Sequence, residues 1–176
     1  MPTQRELAIL NRTAMTGYGL NLGCGNNRLG NAIGIDSNPT ATAADILADI
    51  CKLDMYKDNT FDYIIASAVL EHVSVAPILA LREWARVLKL NGTLHILVPD
   101  AEYGIWSMTG DSGAIGLLVS PPGMEHLHAF TKESLEVLLM FAGYAEIDIM
   151  RFNRLPERRE RTLIARAVKG PLYAAN

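Results

Sequence analysis

Leu20-Asn21-Leu22-Gly23-Cys24-Gly25-Asn26 is the stretch that decides the fold: a short apolar run that breaks into Gly-x-Gly. Glycines at that break let the backbone turn sharply and let a ligand approach where a Cβ would collide. Seven residues later comes Ala32-Ile33-Gly34-Ile35-Asp36, a second apolar run that ends in an acid. In open α/β sheets ligands bind outside the carboxyl ends of the strands. A carboxylate at that level can accept both hydroxyls of a ribose.

A dinucleotide fingerprint is excluded by its own geometry. It requires G-x-G-x-x-G and an acid roughly 20 residues on, whereas Arg28 stands at the third glycine position and Asp36 follows too soon. No helix fits between Gly25 and Ile33, so a pyrophosphate would lack the helix N-terminus that binds it.

Working outward, strands are predicted at Gly19–Leu22, Ala32–Ile35, Phe61–Ser67, Thr93–Val98, Ala145–Met150 and Thr162–Val168, with a brief one near Ala44–Ile46. The runs around Tyr63–Ala66 and Leu94–Val98 are nearly continuous in apolar residues, as expected of parallel strands buried on both faces. Helical spacing of Ile78, Leu81, Trp84, Ala85 and Leu88 predicts a helix over Pro77–Leu90, stopped by Asn91-Gly92. A second is predicted from Lys132 to Ala142, with Thr131 as N-cap and Gly143 as terminator. A third is expected over Thr3–Ala14. The fold class is therefore α/β: a Rossmann-like, doubly wound, mostly parallel sheet. The last two strands are joined too briefly for a crossover and form an antiparallel C-terminal hairpin.

The chain has 176 residues, 49% hydrophobic and 20% charged, with net charge −3. That suits one globular domain over 1–176 and gives no general pull toward nucleic acid. The segment from Arg151 onward carries a net +5 and the remainder −8. These arginines read as a solvated or ion-paired face. Two cysteines, Cys24 and Cys51, do not make a disulfide scaffold. Met1–Met15 lacks a signal peptide's unbroken apolar run, and no window approaches a membrane span. A cytoplasmic location is expected.

With these runs in place, the sequence resembles the class I S-adenosylmethionine-dependent methyltransferases, in the group called methyltransferase type 11. The resemblance rests on Leu20–Gly25, Ile33–Asp36, Asp49-Ile50, Asp58–Ser67, Leu70-Glu71-His72-Val73 and Arg86–Lys89 with Gly92–Leu94, in that order. It implies S-adenosyl-L-methionine as cofactor. Gly23, Cys24 and Gly25 would line its methionine part. Asp36 would hold the ribose, with Ser37 and Asn38 beside it. Asp49 would bond the adenine amino group, although Asp45 and Asp54 compete for that role, and the Ile50 backbone would pack near the ring. Ser67 would sit at the amino-acid end. The connections Asn26–Asn31 and Pro39–Asp45 are shorter than in most members, so flanking helices are expected to be partly trimmed.

Acceptor chemistry is carried by histidines. His72, directly after the strand bearing Ser67, is a candidate general base, since an imidazole titrates near neutrality; the alternative is that it packs the loop. Glu125, His126 and His128 precede Phe130-Thr131-x-x-Ser134-Leu135. In the resembling family that position belongs to the loop over the acceptor pocket, which makes His126 and His128 catalytic candidates, against a role in positioning that loop. His126-x-His128 supplies two metal ligands without a third, so no metal is expected. Tyr103, Trp106 and Met108, in the long loop after Val98, line the acceptor side or pack locally. No Asn-Pro-Pro-Tyr or Asp-Pro-Pro-Tyr follows Ser67, which argues against methylation of nucleobase or glutamine amino groups. The expected function is methyl transfer to a small-molecule or glycan acceptor at oxygen. The alternative is a catalytically silent cofactor-binding or regulatory protein of the same fold. No membrane partner is expected, and a homodimer could complete the side left open by the trimmed helices.

Overall fold

The computed structural model describes residues 15–102, 126–155 and 160–171. Seven strands form one sheet: β1 Gly19–Leu22, β2 Ile33–Asp36, β3 Ile46–Leu47, β4 Phe61–Ser67, β5 Leu88–Pro99, β6 Tyr144–Leu155 and β7 Glu160–Lys169. The order across the sheet is β3-β2-β1-β4-β5-β7-β6. β3, β2, β1, β4 and β5 run parallel, while β7 is antiparallel to both β5 and β6. This is the doubly wound sheet with an antiparallel C-terminal hairpin that the sequence predicts. β1 and β4 have the predicted bounds; β6 and β7 extend further along the hairpin.

Side chains alternate between two buried faces, which explains the unbroken apolar runs. On one face Leu20, Leu22, Ile64, Ala66, Leu94, Ile96 and Val98 meet helix α1 (Pro77–Val87) through Leu81, Trp84 and Ala85, and helix α2 (Lys132–Phe141) through Leu135 and Leu139. On the other, Tyr63, Ile65, Leu97 and Ile164 pack with Leu29 and Ala32 from the β1–β2 connection. Thr131 caps α2 as predicted: its Oγ1 accepts from the Ser134 amide, and the Ser134 Oγ accepts from the Thr131 amide.

Helix α1 ends three residues before the predicted stop. Leu88 turns extended and pairs with Phe61 of β4, and Asn91, at φ 63°, makes the turn that brings Thr93 level with Tyr63. Leu88 is buried in either conformation, so apolar spacing alone could not end the helix. The β1–β2 and β2–β3 connections contain no helix at all. Turns held by polar bonds take their place: Asn26 Oδ1 accepts from the amide and hydroxyl of Thr42, and Arg28 pairs with Asp45. The predicted helix Thr3–Ala14, Tyr103, Trp106, Met108 and Glu125 lie outside the described residues. Among the described residues no helix is long and apolar enough to cross a membrane.

Candidate active site

Parallel registry builds the site. Leu22 aligns with Ile35 on one side and Ala66 on the other, so Gly23, Asp36 and Ser67 each stand one residue past the same line, at the carboxyl edge of the sheet. The two glycines there differ. Gly23 has φ +60°, and a Cβ on it would meet Val69 Cγ2 at 2.3 Å; Gly25 has φ +52°, and a Cβ on it would meet nothing within 4 Å. Gly23 thus lets the segment after β4 pack against the loop, whereas Gly25 faces open space.

The Asp36 carboxylate ties this loop down. Its Oδ2 accepts from the Gly25 amide at 2.7 Å and its Oδ1 from the Asn38 amide at 2.8 Å. Each oxygen keeps a second lone pair, so both ribose hydroxyls can still be accepted. Ser37 is exposed beside it. Cys24 is different: its thiol is buried, its amide donates to Ile35 and its carbonyl accepts from Asn27. Burial, with Asp36 nearby, pushes the thiol up to about 11. Cys24 therefore contributes packing and loop shape, with both backbone groups already engaged.

Ser67, at the end of β4, has a buried Oγ without a hydrogen-bond partner. Buried hydroxyls are rarely left so, and this one stands at the edge where the ligand of such a sheet binds. Asp49 is exposed, its Oδ1 accepting from the Cys51 amide at 2.8 Å. Ile50 is buried, and its carbonyl accepts from the indole of Trp84 at 2.9 Å. Of the competing acids, Asp45 is committed to the Gly34 amide and Arg28, which hold its carboxyl below the usual range. Asp54 pairs with Lys52.

Farther along, α1 is clamped to the segment that follows Ile50. Arg86 donates to Glu83, Asp58 and the carbonyls of Tyr56 and Leu53, while Glu83 also accepts from the Leu53 amide. Glu83 is held below its ordinary range first by Arg86, and the guanidinium is held above its own first by Glu83.

The histidines divide. A 3₁₀ turn, Leu70–His72, follows β4, and the amides of Leu127 and His128 both donate to the Glu71 carbonyl, at 2.8 and 3.1 Å. This brings His126 onto His72, with ring centroids 4.8 Å apart and planes at 68°. His128 points elsewhere: its Nε2 lies 2.9 Å from the Val73 carbonyl. Since a carbonyl only accepts, Nε2 carries the hydrogen, and His128 holds the loop down. Sequence reasoning singled out His72 and His126 separately but missed Glu71 as a member of the group. Glu71 is 1% exposed and its Oε1 is 3.9 Å from His72 Nε2. An acid directly before the histidine was the available signal.

In the basic C-terminal segment Lys169 is held by Asn59 and the Leu88 carbonyl, and Arg151 is ion-paired. Arg151 binds buried Asp100 at 3.1 Å and also pairs with Glu102.

Residues 16–96 match the family model described as a methyltransferase domain. No curated protein matches the chain by sequence. Among solved structures, a Thermotoga maritima S-adenosylmethionine-dependent methyltransferase, described as a possible histamine N-methyltransferase, superposes with TM-score 0.72 at 18% identity, over 93% of this chain and 87% of that one. An Archaeoglobus fulgidus S-adenosylmethionine-dependent methyltransferase gives 0.70 at 17%, over 93% and 92%. Haemonchus contortus phosphoethanolamine N-methyltransferase 2, solved with phosphomonomethylethanolamine and S-adenosylhomocysteine, gives 0.71 at 15%, over 93% of this chain and 52% of that one. At these identities the likeness is one of fold. Together with the family match over the strand edge just described, it makes residues 16–96 similar to the class I S-adenosylmethionine-dependent methyltransferases, in a chain that shares their fold.

Proposed function

We propose that the protein transfers a methyl group to a hydroxyl oxygen of a small-molecule or glycan acceptor. The observation that carries this reading is the contact of His126 with His72, which stands on the turn that follows Val69, the residue packed against Gly23. An alcohol is a poor nucleophile until its proton is removed, and imidazole is the side chain suited to remove it near neutral pH. An amine needs only its neutral lone pair, so a histidine pair at the mouth would be superfluous for it.

In this reading the cofactor supplies an electrophilic methyl on sulfonium sulfur, and the chain supplies alignment and exclusion of water. Asp36 accepts the ribose hydroxyls through its remaining lone pairs. Gly25 leaves room for the methionine part, where any side chain would project, and the Ser67 hydroxyl gains its missing partner at the amino-acid end. Asp49 takes the adenine amino group, beside the Ile50 backbone fixed by Trp84. His72 or His126 takes the acceptor proton, while His128, its Nε2 held by Val73, keeps His126 in place. The fit is supported by the orphaned Ser67 Oγ and the open space at Gly25.

A second reading, transfer to nitrogen, is favoured by the names of two fold neighbours, a possible histamine N-methyltransferase and a phosphoethanolamine N-methyltransferase. The two separate on labelled methyl transfer to matched alcohol and amine acceptors. Transfer to alcohols, slowed about 100-fold or more in His72→Gln or His126→Gln, supports oxygen. Transfer to amines alone, indifferent to both substitutions, overturns it. A second copy of the chain is proposed to cover the side where helices are lacking; full turnover by a monomer would overturn that.

A further inference from the structure

We propose that Glu71, His72 and His126 form a site for one divalent first-row cation of the zinc or manganese class, which grips the acceptor's oxygen. The role assigned to the ion rests on the oxygen-transfer reading above; the site itself rests on the side-chain cluster.

One ligand atom from each of the three residues lies within 4.8 Å of the other two. Two imidazoles and one carboxylate are the donor set of open, catalytic zinc sites and of related iron and manganese centres. The sequence alone paired His126 with His128 and found no third ligand. The fold breaks that pair, turning His128 to the Val73 carbonyl, and replaces it with two residues 54 and 55 positions away. The replacement is built by main-chain bonds: the Leu127 and His128 amides both donate to the Glu71 carbonyl, which fixes the base of His126 against the turn that bears the other two ligands.

The carboxylate sits at the inner side of the cluster: Glu71 is 1% exposed and its Oε1 lies 3.9 Å from His72 Nε2. His72 is 32% exposed and His126 is half-buried, so the outer side of the cluster stays open for water or an acceptor. The donors stand wider than the roughly 3.3 Å separation of a tetrahedral set with bonds near 2.0–2.1 Å. Closing that gap requires rotation of half-buried rings and no movement of the sheet.

Position gives the ion its task. The turn begins three residues past Ser67, and Val69 within this segment is the residue that Gly23 accommodates. An ion there would lie beside the methyl donor's end of the site. Bound to an acceptor hydroxyl it would lower that group's pKa, as such ions do for water. With the ion bound, His72 and His126 hold it instead of taking the acceptor proton, and that proton passes to solvent. The new bond joins oxygen to the methyl carbon as the carbon–sulfur bond breaks, and the sulfonium becomes a neutral thioether.

The test uses the full chain, freed of metal by a chelator, titrated calorimetrically with Zn²⁺ and Mn²⁺ and followed with Co²⁺ by visible absorption. One ion per chain is expected, with ligand-field bands from Co²⁺. Glu71→Gln and His126→Ala should each weaken binding tenfold or more while S-adenosylhomocysteine still binds. No saturable binding of any of the three ions overturns the proposal, as does binding unaffected by both substitutions. Should Glu71→Gln fail to fold, His126→Ala and the Co²⁺ bands decide. S-adenosylhomocysteine binding without metal binding sinks this site and leaves the methyltransferase reading standing. Metal binding with transfer to amines alone supports the site and sinks the oxygen reading.

Discussion

Asp36 accepts the amide of Gly25 at 2.7 Å, binding the end of β2 to the loop that leaves β1. One carboxylate therefore shapes the loop and offers its remaining lone pairs to a ribose. Asp36→Ala should weaken S-adenosylmethionine and S-adenosylhomocysteine by about tenfold or more, about 1.4 kcal/mol, measured by calorimetric titration. Unchanged affinity would remove Asp36 from the site.

Gly23 and Gly25 should fail in different ways. Alanine at either adopts a left-handed backbone at a cost of about 1–2 kcal/mol. At Gly23 the new methyl also strikes Val69, whereas at Gly25 it enters open space. Gly23→Ala should be the less stable of the two in thermal melts, and Gly25→Ala should fold yet lose cofactor affinity. Equal affinity in Gly25→Ala and the parent would show that the space at Gly25 is not where the cofactor lies.

His95 on β5 makes stability pH-dependent. It is 3% exposed, and burial, then Arg166, lowers its pKa to about 4 from 6.5. Between those values the unfolded chain holds a proton that the folded chain does not, so stability rises with pH through the window and is lost as pH falls from 6.5 toward 4. The loss amounts to roughly 3 kcal/mol. Urea unfolding at pH 7 and pH 5 should capture about 2 kcal/mol of it, and in His95→Leu the difference between the two should shrink.

Asp45 matters more than its visible ion pair. Arg28 and Asp45 are both well exposed, and such pairs contribute about 0–1 kcal/mol. Asp45 also accepts the amide of buried Gly34 at 2.8 Å, and orphaning a buried donor costs about 1–3 kcal/mol. Denaturant titration should therefore find Asp45→Ala more damaging than Arg28→Ala.

Trp84 links the core to the site. Its indole, fully buried, donates to the Ile50 carbonyl next to Asp49. Trp84→Phe should cost about 1–3 kcal/mol by orphaning that carbonyl and should weaken the cofactor further than the stability loss explains. An affinity equal to the parent's would separate Ile50 from the adenine end.

Much of the fold was legible because burial on both faces leaves few alternatives: Gly19–Leu22 and Phe61–Ser67 could only be strands once bracketed by turns. Leu88 was misread because a buried leucine suits a helix end and a strand start equally. The hairpin runs past its apolar stretch on paired backbone, into Arg151 and Arg161, where polar residues gave no strand signal. The histidine cluster was opaque for another reason. Two amides donating to one carbonyl bring His126 to Glu71, and main-chain bonds of that kind leave no pattern in the side chains.

β7 follows β6 in the chain yet lies between β5 and β6 in the sheet. The wide parallel part of the sheet is thus synthesised well before the strand that closes its edge. Until residues 160–169 arrive, β5 presents unpaired backbone with Leu94, Ile96 and Val98 beside it, the kind of edge that invites pairing with other chains. Assembly is therefore gated late: the strand that shields β5 follows every other strand of this sheet in the chain, and the sheet can close only once that strand has left the ribosome.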